Sequence, residues 1–215
     1  MIRAVLFDLD GVLVSTDEYH FRSWQKISAE EGFDFFDHEF NHKFRGVARM
    51  ECVEIITKAS GKTYTPEQKQ ELAERKNRYF AESLAAVTTE VLLPGALAVL
   101  KELKNRGIKT AVASNSRNAM TIIRQVKIEH LLDAIIDGHQ IENSKPDPEV
   151  FLLAAKKVGV SPAHCLVVED AVAGIESARR AGMKALGIGT KDRLPNADIV
   201  LPNLAAISID ELLKL

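Results

Sequence analysis

Apolar and polar positions divide the chain into two kinds of stretch. Val5-Leu6-Phe7 is a short apolar run that ends in Asp8-Leu9-Asp10-Gly11-Val12. A run of that length, closed by a turn residue, reads as a buried strand. From about residue 16 the pattern becomes helical. Thr16 or Asp17 can cap a helix that reaches about Glu31, with Tyr19, Trp24 and Ile27 set among Glu18, Arg22 and Lys26; Gly32 stops it. After Gly46, Met50, Val53, Ile55 and Ile56 form a stripe of helical period. Thr65-Pro66-Glu67-Gln68 opens a third helix, with Thr65 as N-cap, Pro66 in the first position and Gln68 closing a capping box. It runs through Lys76 to about Leu84. Residues 16–87 thus read as helix and loop.

From Leu93-Pro94-Gly95 strands and helices alternate. A helix over 96–106 stops at Gly107. Lys109 to Ala113 is a strand opening into Ser114-Asn115-Ser116, and a helix follows to about Lys127. Ala134 to Ile136 is a short strand before the polar loop 138–144 and Lys145-Pro146, whose place at the site makes it a candidate for the uncommon cis form. A helix starts at Asp147-Pro148 and ends at Gly159. The strand 165–168 runs into Glu169-Asp170; a helix over 171–181 is closed by Gly182. A strand over 185–188, a short strand over 199–201 and a helix over 207–213 complete the chain. Such alternation predicts an α/β fold: a parallel sheet with helices on both faces. The core would comprise residues 1–15 and 88–215, and residues 16–87 would be an inserted helical domain. In open sheets of this kind ligands sit outside the carboxyl ends of the strands. Four of those ends carry polar groups here: Asp8/Asp10, Ser114, the Lys145 loop and Glu169/Asp170. The insert leaves the chain just past Asp10, so it is expected to stand over that site as a cap.

Bulk properties narrow the function classes. The 215 residues are 46% hydrophobic and 27% charged, ample for a core, and the formal net charge is -2. That balance points away from nucleic acid and from acidic membranes. No apolar run has the length of a membrane span, and the N-terminus lacks a signal-peptide pattern, so the cytoplasm is the expected location. Cys52 and Cys165 have no metal-like spacing, and Cys165 reads as a small buried hydrophobe.

The chemistry concentrates in the carboxylates. Strand alternation sends Asp8 and Asp10 to one side, where they repel each other; a hard divalent cation such as Mg²⁺ would offset that repulsion. Gly11 permits a sharp turn and close approach of a ligand. Each element also has a plainer reading. Asp8-x-Asp10 could be a solvated acidic turn, Glu169-Asp170 charges at a helix start, Ser114 an N-cap and Lys145 a surface lysine. Together they form a complete set for phosphoryl transfer: acids for a metal, a lysine and a hydroxyl for phosphate oxygens, and one carboxylate free to attack.

Asp8-Leu9-Asp10-Gly11-Val12, Ser114, Lys145-Pro146 and Glu169-Asp170, in that order, resemble the four motifs of the haloacid dehalogenase superfamily. Asp at position 10 is similar to the phosphotransferase branch. The segments 17–24, 45–49 and 75–77, with Ser114-Asn115-Ser116-Arg117-Asn118 and Ser144-Lys145-Pro146, resemble the β-phosphoglucomutase family within it. The resemblance implies a Rossmann-like core with a helical cap and a Mg²⁺-dependent exchange of β-D-glucose 1-phosphate with D-glucose 6-phosphate, through β-glucose 1,6-bisphosphate. It implies Asp8 as nucleophile and Asp10 as general acid/base. Asp8, Asp10, Asp170 and, directly or through water, Glu169 would serve the metal. Ser114 and Lys145 would hold the transferring phosphate, and Arg49 with Ser116 and Asn118 the second one. Gly46, Asn115 and Lys76 would line the substrate site, Trp24 would shape it by packing, and His20 would hold Asp10 in or out of place as the cap moves. The implied partners are small sugar phosphates and the expected state is a monomer. A sugar-phosphate phosphatase on the same scaffold is the alternative.

Overall fold

A computed structural model describes residues 1–44 and 47–215. In chain order the strands are β1 (Ala4–Phe7), β2 (Lys109–Ala113), β3 (Ala134–Ile136), β4 (Cys165–Glu169), β5 (Lys184–Ile188) and β6 (Ile199–Leu201). The α-helices are α1 (Asp17–Glu31), α2 (His38–Asn41), α3 (Arg49–Ser60), α4 (Pro66–Ser83), α5 (Ala96–Asn105), α6 (Ala119–Gln125), α7 (Glu149–Val158), α8 (Val172–Arg180) and α9 (Ile209–Leu212). The chain divides into two compact units, one of Met1–Ser15 with Val87–Leu215 and one of Thr16–Ala86.

The first unit is built on one six-stranded sheet in the order β3-β2-β1-β4-β5-β6, parallel at every pairing. The order reverses at β1: β2 and β3 extend to one side, β4 to β6 to the other. A reversal of this kind opens a crevice at the carboxyl ends of the strands beside it. Residues of one parity, Ala4, Leu6, Ala111, Ala113, Cys165, Val167 and Ala185, share a core cluster with Val150, Phe151 and Ala154 of α7 and with Ile175 and Ala178 of α8. The other parity, Val5, Phe7, Val112, Leu166 and Val168, is equally buried. Burial on both faces explains why the strands read as continuous apolar runs. The Lys145–Pro146 peptide is cis.

The Thr16–Ala86 unit has an aromatic core: Phe21, Trp24, Phe33, Phe36 and Phe44 pack with Val53, Ile56 and Leu72. Gly32 takes the left-handed conformation that ends α1, and Thr65 and Gln68 form the capping box of α4. The stripe expected on α3 is displaced. Met50 is 41% exposed and Ile55 is half-buried, whereas Cys52, Val53, Ile56 and Thr57 face inward. The aromatic cluster approaches α3 from the Cys52 side, and packing overrides the local apolar count. Helix α2 and a 3₁₀ turn at His42–Phe44 have no counterpart among the expected elements. They are stabilised by ring contacts among Phe36, Phe40 and Phe44 rather than by a periodic pattern. The last helix is shorter than expected, with Ser208 and Glu211 making a capping box unread in the sequence.

Candidate active site

Parity carries the chemistry to one place. Asp8 continues the Ala4, Leu6 series past the end of β1, and Glu169 continues the Cys165, Val167 series at the end of β4. Register sets Phe7 beside Val168, and Asp8 N–H donates to the Val168 carbonyl at 2.9 Å. Both carboxylates therefore emerge on the face covered by α7 and α8, where the loop before α7 delivers Lys145. Its Nζ donates to Asp8 Oδ1 at 2.5 Å, to Glu169 Oε1 at 2.8 Å and to the Ala113 carbonyl at 3.0 Å. The Lys145 side chain is 5% exposed, so it is not the surface lysine of the plainer reading. The ring of Phe151 lies 4.7 Å from Nζ.

The remaining groups sit on adjoining turns. Gly11 has φ +83°, and a Cβ there would fall 2.2 Å from Asp170 Oδ2; the glycine lets the Asp170 carboxylate lie against the loop that carries Asp10. Ser114 Oγ accepts from Ser116 N–H at 3.1 Å and Ser116 Oγ from Asn118 N–H at 3.2 Å. Ser114 thus makes a local turn and does not cap α6, whose N-cap is Asn118. Asn115 Oδ1 accepts from Lys145 N–H at 3.4 Å, tying the β2 loop to the lysine loop.

Charge is unbalanced at this end of the sheet. Burial pushes the Asp8 carboxyl up to about 7, against the lowering effect of Lys145, with Glu169 and Asp10 adding to the rise. Burial, then Glu169 and Asp8, push Asp170 up to about 8. Lys145 is raised by its two carboxylate partners despite its burial. Asp8, Asp10, Glu169 and Asp170 thus raise one another's cost of ionisation beside the Lys145 ammonium, and their all-oxygen donor set fits a hard divalent cation. As placed, no three His, Cys, Asp or Glu side chains close on a single point among the described residues. The Lys145 ammonium bridges Asp8 to Glu169. Both Glu169 oxygens already accept, one from Lys145 and the other from Ala171 N–H at 2.7 Å.

A second group of candidates lies within the Thr16–Ala86 unit. His20 on α1 and Lys76 on α4 meet at 2.6 Å through Nδ1 and Nζ. The His20 ring stacks on Phe80 at 3.9 Å, and Lys76 Nζ lies 5.4 Å from the Trp24 ring. Trp24 and Lys76 are buried, so Trp24 is a packing residue and Lys76 is not a solvated helix position. An ammonium only donates, so His20 Nδ1 must accept and the ring proton must sit on Nε2. Burial, then Lys76 and Arg49, hold the His20 pKa well below 6.5. A neutral histidine of this kind contributes stability that is whole above pH 6.5 and is lost as pH falls below it. Long-range ¹⁵N NMR should show a neutral Nε2–H ring from about pH 8 to about pH 6; an imidazolium forming near the free value would contradict the pairing. Gly46 lies outside the described residues.

Two contributors escaped the sequence reading. The Ala113 carbonyl has no sequence signal. Gly174 does: an isolated glycine inside a helical stretch implies close approach of another group.

Comparison with known proteins agrees with the fold. A family model described as haloacid dehalogenase-like hydrolase matches residues 2–182. The chain is 41% identical over 211 residues to β-phosphoglucomutase of Bacillus subtilis (strain 168), covering 97% of this chain and 93% of that protein. It is 30% identical over 188 residues to a phosphorylated carbohydrates phosphatase of Thermotoga maritima, covering 86% and 84%. The crystal structure of β-phosphoglucomutase from Clostridium difficile superposes with a TM-score of 0.91 at 34% identity, covering 100% of this chain and 96% of that one. By its motifs, its sheet order and these likenesses, the chain belongs to the haloacid dehalogenase-like hydrolase family.

Proposed function

We propose that the protein is a β-phosphoglucomutase, interconverting β-D-glucose 1-phosphate and D-glucose 6-phosphate through β-glucose 1,6-bisphosphate. The reading is carried by a buried Asp8 carboxylate held 2.5 Å from the Lys145 ammonium at the point where the strand order reverses. The 41% identity to the Bacillus subtilis mutase, extending over both units, supports the substrate. Asp8 is the nucleophile: its oxygen attacks phosphorus, the P–O bond to the sugar breaks, and an aspartyl phosphate forms. Asp10 gives a proton to the leaving sugar oxygen and takes one from the hydroxyl that attacks next. Lys145 and Ser114 hold the transferring oxygens, and Asn115 anchors the lysine loop. Ser116, Asn118 and Arg49 hold the second phosphate, Arg49 by the forked geometry of its guanidinium. His20 fixes the Lys76 ammonium that contacts the sugar. Asp8, Asp10 and Asp170 would hold Mg²⁺, with Glu169 serving it through water. Bound there, the cation would neutralise phosphoryl charge and keep the carboxylates ionised. The bisphosphate must turn round between half-reactions, so water has to be excluded from the phosphoenzyme. We place the protein in the cytoplasm as a monomer, with no nucleic-acid or membrane partner.

A coupled assay tests this. β-Glucose 1-phosphate, primed with bisphosphate and Mg²⁺, should yield glucose 6-phosphate in step with substrate loss. Release of inorganic phosphate alone would replace the mutase with a sugar-phosphate phosphatase, the reading favoured by the Thermotoga maritima relative.

A further inference from the structure

Gly174 lies in the first turn of α8, where glycine is a poorer helix former than alanine. Its φ is not in the left-handed region, so backbone geometry does not require it. Space does. A Cβ at Gly174 would stand 1.9 Å from Glu169 Cδ and Oε1 and 2.5 Å from Glu169 Cγ. Glu169 is 1% exposed and packs against the bare backbone at that spot. Its Oε2 accepts from Ala171 N–H, which leaves Oε1 to face Lys145 at 2.8 Å; Lys145 in turn meets Asp8 at 2.5 Å.

We infer that Gly174 is a positioning residue for phosphoryl transfer: the missing side chain seats Glu169, Glu169 aims Lys145, and Lys145 holds Asp8 and the phosphoryl oxygens. The chain of contacts runs through one carboxylate, so it has a distinctive signature. Gly174→Ala matters only while Glu169 has a side chain to displace. A further hold on the same assembly comes one turn on, where Ser177 Oγ donates to the Asp147 carbonyl at 2.7 Å and pins the lysine loop to α8.

The inference rests on the proposed role of Lys145, and a double-mutant cycle in kcat separates the two. Wild type is measured first, and its turnover alone judges the proposed function. Gly174→Ala should lower kcat by about tenfold to a hundredfold, with KM changed less than about threefold. In a Glu169→Ala background the same substitution should change kcat by less than about twofold. Additive losses, or a Gly174→Ala protein with wild-type kcat, would overturn the inference. If Gly174→Ala does not fold, Glu169→Ala/Gly174→Ala must fold; a double variant that also fails to fold overturns it too. Should wild type turn over no sugar phosphate, the same cycle is read in thermal unfolding midpoints. There, a drop for Gly174→Ala that vanishes without the Glu169 side chain supports the inference, and an undiminished drop rejects it.

Discussion

Asp8→Asn should reduce sugar-phosphate turnover by about 10⁴-fold or more while leaving the protein folded. The carboxamide has nearly the shape of the carboxylate and can still accept from Lys145 Nζ through its oxygen. It carries no negative charge and cannot form a stable acyl phosphate. Lys145 keeps Glu169 and the Ala113 carbonyl as partners, so the variant loses chemistry and not architecture. Circular dichroism should overlay wild type. Rapid-quench labelling with phosphorus-32 substrate should trap an acid-stable protein phosphate in neither the steady state nor the first turnover. Turnover within tenfold of wild type would remove Asp8 from the mechanism.

Lys145→Ala should be nearly as damaging to catalysis and far more damaging to stability. Removing a preorganised cation from a transferring phosphoryl group costs about 10²- to 10³-fold in kcat. Asp8 and Glu169 would then be two buried neighbours without their shared ammonium, and breaking such a pair costs about 3–5 kcal/mol. The pH dependence follows from Asp8. Its carboxyl already sits at about 7 in the fold, with Lys145 holding it down against burial; without the ammonium it climbs further. A carboxyl raised above its free value of 3.8 binds protons more tightly folded than unfolded, so stability falls as pH rises through the folded value. The urea midpoint of the variant should therefore lie further below wild type at about pH 8 than at about pH 5. A gap independent of pH would show that the ammonium does not govern Asp8.

Much of this was legible in advance. Each strand of the sheet lies where a short apolar run meets a turn, and the sequence places Asp8, Ser114, Lys145 and Glu169 at or beyond the strand ends. Local spacing carries that information because alternation and capping act over a few residues. Other features had no local signal. Met50 looked like a core position and faces outward, since the choice among neighbouring apolar residues on α3 belongs to the aromatic cluster beside it. Lys76 could have been a solvated helix position. It is buried because α1 brings His20 and Trp24 against it.

By itself the sequence determined the kinds of element, the turns between them and the set of ionisable groups available. Tertiary structure alone decided which groups meet. Asp8 and Lys145 stand 137 positions apart, and they come together only because β4 docks against β1 while β2 docks on the other side. That pairing is selected by burial of both sheet faces at once, a property of the whole core that no short window of residues contains.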